Sequence, residues 1–230
     1  MIDLYTCATP NGHKLHIMLE ETGLEYIAHP VDIGAGEQFE PEFLAISPNN
    51  KIPAMVDQDG PGGEPLAMFE SGAMLIYLAD KTGRFMPRET RARMGVLQWL
   101  MFQMASVGPM LGQAHHFIKY APETLSYAVD RYRNEANRLY GVMDRRLGES
   151  PYLAGEDYSI ADIATFPWLR SASKQGVDMN EYPNVQRWFE TVNGRPAVQR
   201  GLHVFKERKT DVTSERAREV LFGSAQYRRR

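Results

Sequence analysis

The first residues with a readable pattern, Ile2 to Thr6, form a short strand that ends at the turn Thr9-Pro10-Asn11-Gly12, with proline second and glycine fourth. A helical period follows. Leu15, Ile17, Met18 and Leu19 recur on one side, Lys14, Glu20, Glu21 and Thr22 fill a polar side, and Gly23 closes the helix. Tyr26 to Asp32 reads as a second strand, Pro41 to Ile46 as a short helix, and Ala54 to Asp57 and Pro65 to Met68 as two strands around a Gly/Pro-rich turn. The spacing predicts a helix over 70–81. The order β-α-β-α-β-β-α within about 80 residues is too compact for a doubly wound dinucleotide fold.

Thr82-Gly83-Arg84-Phe85-Met86-Pro87 breaks this pattern, and the chain from there to about residue 205 reads as helix. Trp99, Leu100, Phe102 and Gln103 belong to a long first helix interrupted near Gly108-Pro109. Leu125 to Leu147 carries apolar positions at 129, 132, 136, 139, 140 and 143, the spacing of a bundle helix. Tyr158-Ser159-Ile160-Ala161-Asp162-Ile163 has the form of a capping box with a hydrophobic staple, so a buried helix starts there. Pro167 falls inside that helix and kinks rather than ends it, because Trp168 and Leu169 continue the apolar run. From about 206 the residues are charged and weakly periodic, ending Tyr227-Arg228-Arg229-Arg230, and read as an extension of low order. The expected division is therefore 1–83, an all-helical bundle over 84–205, and an extension over 206–230.

Composition narrows the function. With 26 basic and 29 acidic side chains there is no electrostatic footprint for nucleic acid or an anionic membrane, so an anionic ligand has to be held locally. No stretch approaches the ~18–20 apolar residues of a membrane span. A single cysteine, Cys7, excludes an intrachain disulfide, a Cys-x-x-Cys pair and a thiolate zinc site, and points to a reducing, cytoplasmic setting. His13 and His16 are spaced as two ligands on a helix but have no third, and read as a solvated face; no metal is expected. Gly34-Ala35-Gly36 fails as a dinucleotide loop because Phe39 stands at the third glycine position.

The chemistry concentrates in Asn49-Asn50-Lys51-Ile52-Pro53-Ala54 and Phe69-Glu70-Ser71-Gly72-Ala73. Proline after Ile52 has no N–H and adopts the cis form more readily than other residues, which frees the backbone of residue 52 for a ligand. At the start of the next helix, Ser71 and the backbone amides suit a carboxylate and Glu70 suits an ammonium. A ligand with both an α-amino and an α-carboxylate group fits.

A thioredoxin-like N-terminal unit with Ile52-Pro53 and Glu70-Ser71, joined to an all-helical domain with Ser159-Ile160-Ala161-Asp162, resembles the cytosolic glutathione transferases over residues 1 to about 205. Thr9-Pro10-Asn11-Gly12-His13-Lys14, Ser47-Pro48-Asn49-Asn50-Lys51-Ile52-Pro53 and Gly108-Pro109-Met110-Leu111-Gly112-Gln113 with His115-His116-Phe117 are similar to the bacterial nu class, relatives of the fungal Ure2-like proteins. The resemblance implies the glutathione transferase fold, α+β followed by an all-α bundle. It also implies a homodimer, with glutathione as reductant or co-substrate and no metal or flavin. The implied activity is thiolate attack on a disulfide or a soft electrophile, with peroxide reduction as a side activity.

By the same resemblance, Thr9 through its hydroxyl and Asn11 through its amide surround the sulfur, and Gln38, Lys51, Ile52, Glu70, Ser71 and Arg131 hold the rest of glutathione. His115 and Phe117, with His116 between them, are candidates for the second-substrate pocket. Tyr5 reads as strand packing and Cys7 as an inert thiol ahead of the turn, since neither lies on a helix N-terminus that would lower a pKa. Three alternatives remain open on these residues: a glutathione-binding regulatory or stress protein without turnover, a specialised lyase or dehalogenase, and a mixed disulfide formed by Cys7. An Asn/Gln-rich extension, expected of the Ure2-like regulators, is not present in this sequence.

Overall fold

The structure, a computed structural model, describes residues 1–208 and 212–228. Packing divides the chain into two compact units, Met1–Met74 together with the chain from Gln199 onward, and Leu75–Val198.

The first unit is built on a four-stranded sheet of β1 (Ile2–Thr6), β2 (Tyr26–Pro30), β3 (Ala54–Asp57) and β4 (Leu66–Phe69) in the order β2-β1-β3-β4. β1 and β2 are parallel; the β1–β3 and β3–β4 pairs are antiparallel. Ile2, Leu4 and Thr6 point into the core on the period of two that a half-covered strand requires. Between β1 and β2 lies α1 (Pro10–Thr22), with Thr9 as N-cap and Gly23 as a left-handed C-cap at φ 72°. Gly12 has to be glycine, because a Cβ there would overlap the Cys7 carbonyl. The turn α2 (Pro41–Leu44) follows β2.

α1 departs from the amphipathic reading. Lys14 is 1% exposed and Glu21 is also buried, so the supposed polar side faces protein. His13 and His16 are buried too, with their Nδ1 atoms 3.3 Å apart and His16 Nε2 3.1 Å from Thr6 Oγ1, which corrects the expectation of a solvated pair. One cause is the late helix that covers α1: a Cβ on Gly201 would lie 2.8 Å from the Ile17 nitrogen, so the two backbones touch.

Leading into and through the second unit are α3 (Ser71–Thr82), α4 (Thr90–Phe102), α5 (Gly108–His115), α6 (Ser126–Glu149), α7 (Ile160–Leu169) and α8 (Pro183–Asn193). π-helical turns at Gln103–Val107 and His116–Tyr120 adjoin α5, the first standing where Gly108-Pro109 interrupts the ladder. α6 shows its apolar stripe as buried Ala136, Leu139, Tyr140, Met143 and Leu147. α7 is buried at nine of its ten positions, continues past Pro167, and starts in the capping box read from the sequence. Asp162 accepts there from Ser159 N–H at 3.0 Å, and also from Leu153 N–H (3.0 Å) and Trp188 Nε1 (2.8 Å), two partners from distant segments.

α9 (Pro196–His203) returns the chain to the first unit, where Arg200 Nε donates to Glu20 Oε2 at 2.7 Å. The extension then differs from the low-order expectation. α10 (Glu215–Phe222) forms with Ser214 as N-cap and Ala217 buried, and a 3₁₀ turn follows over Ser224–Tyr227. Arg229 and Arg230 lie outside the described residues. Among the described residues, no helix is long and apolar enough to cross a membrane.

Candidate functional site

Strand register gathers the predicted residues at one end of the sheet. Tyr5 pairs with Ala54 and Ala54 with Phe69, so the turn after β1, the Ile52-Pro53 bend before β3 and Glu70 after β4 meet at the same edge. β2 runs parallel to β1 and ends there too, with Val31 N–H bonded to Thr6 O at 2.9 Å, which brings the 32–38 loop alongside. Lys14 Nζ donates to Ser71 Oγ (3.2 Å), tying α1 to the start of α3.

Thr9 is half-buried, with its Oγ1 fixed by the Gly12 N–H at 3.3 Å. Because that oxygen accepts from the backbone, the hydroxyl proton is left to donate elsewhere. Asn11 sits in the first turn of α1, half-buried. Cys7 lies behind them, 4% exposed, its Sγ 4.0 Å from Thr9 Oγ1. Burial pushes its thiol up to about 11, opposed by the Thr9 contact and reinforced by Asp32. At neutral pH roughly one such thiol in ten thousand is ionised, too few for a nucleophile. Cys7, Pro30, Val31, Asp32, Phe205 and Arg208 line a small cavity of about 50 Å³.

The Ile52–Pro53 bond is cis. Among the described residues Ile52 makes no backbone hydrogen bond, while its neighbour Lys51 is held through its carbonyl by Ser47 Oγ at 2.9 Å. Glu70 is exposed and takes a left-handed φ of 70°, a conformation costing a non-glycine residue about 1–3 kcal/mol. Asn49 Nδ2 reaches Glu70 Oε1 at 3.5 Å, at the edge of hydrogen-bond range. Ser71, 5% exposed, opens α3.

Gln38 turns its side chain inward. It is 2% exposed, and its Nε2 donates to Ile33 O at 3.1 Å. Its Oε1, like Asn50 Oδ1, is buried without a partner among the described residues. Two buried acceptors at this end of the sheet each carry a desolvation penalty that a donor would relieve.

Lys14 is the residue that sequence reasoning missed. Burial brings its ammonium down to about 7, with Glu70 pulling it upward. A cation under Ser71 adds to the partial positive charge of the α3 N-terminus and strengthens the site for an anion. His16 is held at about 3, by burial first and then by His13, and stays neutral at physiological pH.

Arg131, His115 and Phe117 belong to the helical unit. Arg131 is exposed on α6 beside Tyr132, whose ring stacks on Phe117 at 5.3 Å and 5°. His116 meets the Phe117 edge at 5.2 Å, and His115 lies 5.1 Å from the Tyr120 ring. His115 Nε2 is buried without a partner among the described residues, and burial, with Lys119 and Lys174, holds that imidazole below its ordinary range. Among the described residues there is no cluster of three metal-ligating side chains.

Comparison with known proteins gives this arrangement its place. Family models described as the N-terminal and C-terminal domains of glutathione S-transferase match residues 8–81 and 107–196. The disulfide-bond oxidoreductase YfcG of Escherichia coli is 55% identical over 203 residues, covering 88% of this chain and 94% of the relative. A glutathione transferase family member from Pseudomonas fluorescens, solved with two glutathione bound, superposes with a TM-score of 0.84 at 50% identity, over 87% of this chain and 92% of that one. A glutathione transferase from Pseudomonas putida, solved with one glutathione disulfide bound per subunit, gives 0.85 at 47% identity, over 88% and 91%. The chain belongs to the glutathione S-transferase family.

Proposed function

We propose that this chain is a glutathione-dependent disulfide-bond reductase in which a hydroxyl and a backbone amide, rather than an ionisable side chain, stabilise the glutathione thiolate. The observation that carries the reading is the meeting of Thr9, Asn11, Ile52, Glu70 and Ser71 at one end of the sheet, with Cys7 withdrawn behind them. Relatives named or solved as disulfide-bond oxidoreductase and as binders of glutathione or its disulfide support it.

Ser71 and the first amides of α3 would take the γ-glutamyl carboxylate and Glu70 its ammonium. The backbone of Ile52 would pair with the cysteinyl residue, and Lys51 would take the glycyl carboxylate. Gln38, whose Oε1 has no partner among the described residues, and Arg131 complete the proposed set. The peptide's sulfur is then left at Thr9 and Asn11. Moving a thiol from about 8.5 to about 7 needs roughly 2 kcal/mol in favour of the anion, and two hydrogen bonds to a charged acceptor, about 1.5–3 kcal/mol each, supply that.

In the reaction, the glutathione thiolate attacks one sulfur of a disulfide, the S–S bond breaks, and the leaving sulfur departs as a thiolate that takes a proton from water. A second glutathione thiolate attacks the glutathione sulfur of the mixed disulfide, giving glutathione disulfide and a second thiol. Electrons balance: two glutathione thiols are oxidised and one disulfide is reduced to two thiols.

His115 and Phe117 belong to the second-substrate pocket in this proposal. The nu class, a homodimer and a cytoplasmic location complete it, the last supported by a lone buried thiol in a chain that makes no disulfide of its own. Steady-state reduction of 2-hydroxyethyl disulfide by glutathione, coupled to glutathione reductase, tests the proposal. Turnover by the wild type supports it; binding of glutathione without turnover of any disulfide leaves a binding protein in its place.

A further inference from the structure

Residues 214–227 are not needed by the function proposed above, and the family match ends earlier, at residue 196. The segment nonetheless lies on the same end of the first unit. Ser214 Oγ accepts from Ala217 N–H (3.2 Å) to start α10, and Ala217 is 2% exposed, so the helix is docked by a buried face. Val220 stands beside Gly36: a Cβ at that left-handed position, φ 98°, would meet Val220 Cγ1 at 3.7 Å. Gly36 opens the short 3₁₀ helix that carries Gln38.

Gln226 lies in the turn after α10, half-buried. Its Nε2 donates to Val220 O at 2.7 Å, which orients the carboxamide, and its Oε1 accepts from Lys51 Nζ at 2.9 Å. The C-terminal segment therefore touches two of the places assigned to glutathione: the loop of Gln38 and the ammonium of Lys51.

We infer that Gln226 sets the affinity of the glutathione site by competing with the glycyl carboxylate for Lys51, so that binding glutathione releases the 215–227 segment. The inference rests on the proposed assignment of Lys51 as a carboxylate ligand. Both partners would accept from the same ammonium. A carboxylate bonds it about twice as strongly as a neutral amide oxygen, so glutathione displaces the glutamine but loses affinity to it. The displaced segment keeps its own cap and its Gln226–Val220 bond, so it leaves as an ordered turn of helix.

Three full-length proteins test this by titration with glutathione at constant pH and salt. Gln226→Ala removes the competitor and lowers the Kd for glutathione about three- to tenfold, the value of one neutral hydrogen bond. Gln226→Glu gives Lys51 a rival carboxylate and raises Kd by about tenfold, an effect that shrinks as salt is added. Hydrogen exchange on the wild type provides the second readout: amides of 215–227 exchange faster when glutathione saturates the site. The inference is overturned if both substitutions leave Kd unchanged, if Gln226→Ala weakens binding, or if exchange in 215–227 slows on binding. A wild type that binds no glutathione removes the site assignment itself, an outcome that differences among the Gln226 proteins do not produce.

Discussion

Two helices in this molecule begin with a serine beside an acid, and they use the pair in opposite ways. At the start of α7, Ser159 and Asp162 are buried, and Asp162 collects the Ser159 N–H and hydroxyl, the Leu153 N–H and the Trp188 Nε1. Burial alone raises that carboxyl, and all four hydrogen bonds pull against the rise. At the start of α3 the acid comes first. Glu70 is exposed at φ 70°, its charge pulls the Lys14 ammonium upward, and Ser71 accepts from that buried lysine. The first arrangement closes donors and acceptors on one another and holds the fold. The second bears strain and charge at a helix N-terminus and leaves an anion something to gain.

The largest effect comes from breaking the closed pair. Asp162→Ala leaves four donors around a void where the carboxylate was, and should destabilise the protein by about 3–5 kcal/mol, read as a fall of about 10 °C in thermal midpoint. An unchanged midpoint would mean the network is not what holds α7 in place.

The open pair should respond in affinity instead. Glu70→Gln keeps the shape and removes the charge proposed to hold the ammonium, so Kd for glutathione should rise about ten- to hundredfold while the thermal midpoint stays within about 2 °C. A large loss of stability with unchanged Kd would make Glu70 a structural residue and erase the contrast.

Lys14 sharpens the comparison through pH. Its ordinary value is 10.5 and burial holds it near 7, so the unfolded chain binds more protons than the folded one between those values. Stability is therefore gained as pH rises from about 7 to about 10.5 and lost over the same window as pH falls, with no further change from this group below about 7. A carboxylate arriving at Ser71 favours the ammonium, so glutathione binding takes up part of a proton near pH 8. Calorimetry with S-methylglutathione, which has no thiol to ionise, in two buffers of different ionisation enthalpy should show that uptake in the wild type and none in Lys14→Met.

Much of this was legible in the sequence, for physical reasons. Gly23, Thr9 and Ser159 act through their own neighbours, so short windows contain what they do, and the strand ends fell within about two residues. Lys14, His13 and His16 were not legible. His16 is covered by α9, about 180 positions later, whose Gly201 lets two backbones touch, and Lys14 meets Ser71 of α3, 57 positions away. Two of the bonds to Asp162 were hidden because their donors lie outside its own turn, Leu153 at 9 positions and Trp188 at 26. The C-terminal helix had a local signal that its charge obscured: Ser214 as cap, then Ala217, Val220 and Leu221 at helical spacing. Nothing local reveals that the Gln38 amide donates to Ile33 O.

The claim at the centre is that Thr9 and Asn11, not Cys7, make the thiolate. The most direct measurement is the pKa of glutathione bound to the wild type, Thr9→Ala and Cys7→Ser, followed by ultraviolet thiolate absorbance. The account predicts a value about one to two units below the free thiol's ~8.5 in the wild type and in Cys7→Ser, and a return toward the free value in Thr9→Ala. A depressed value that survives Thr9→Ala but disappears in Cys7→Ser would contradict it.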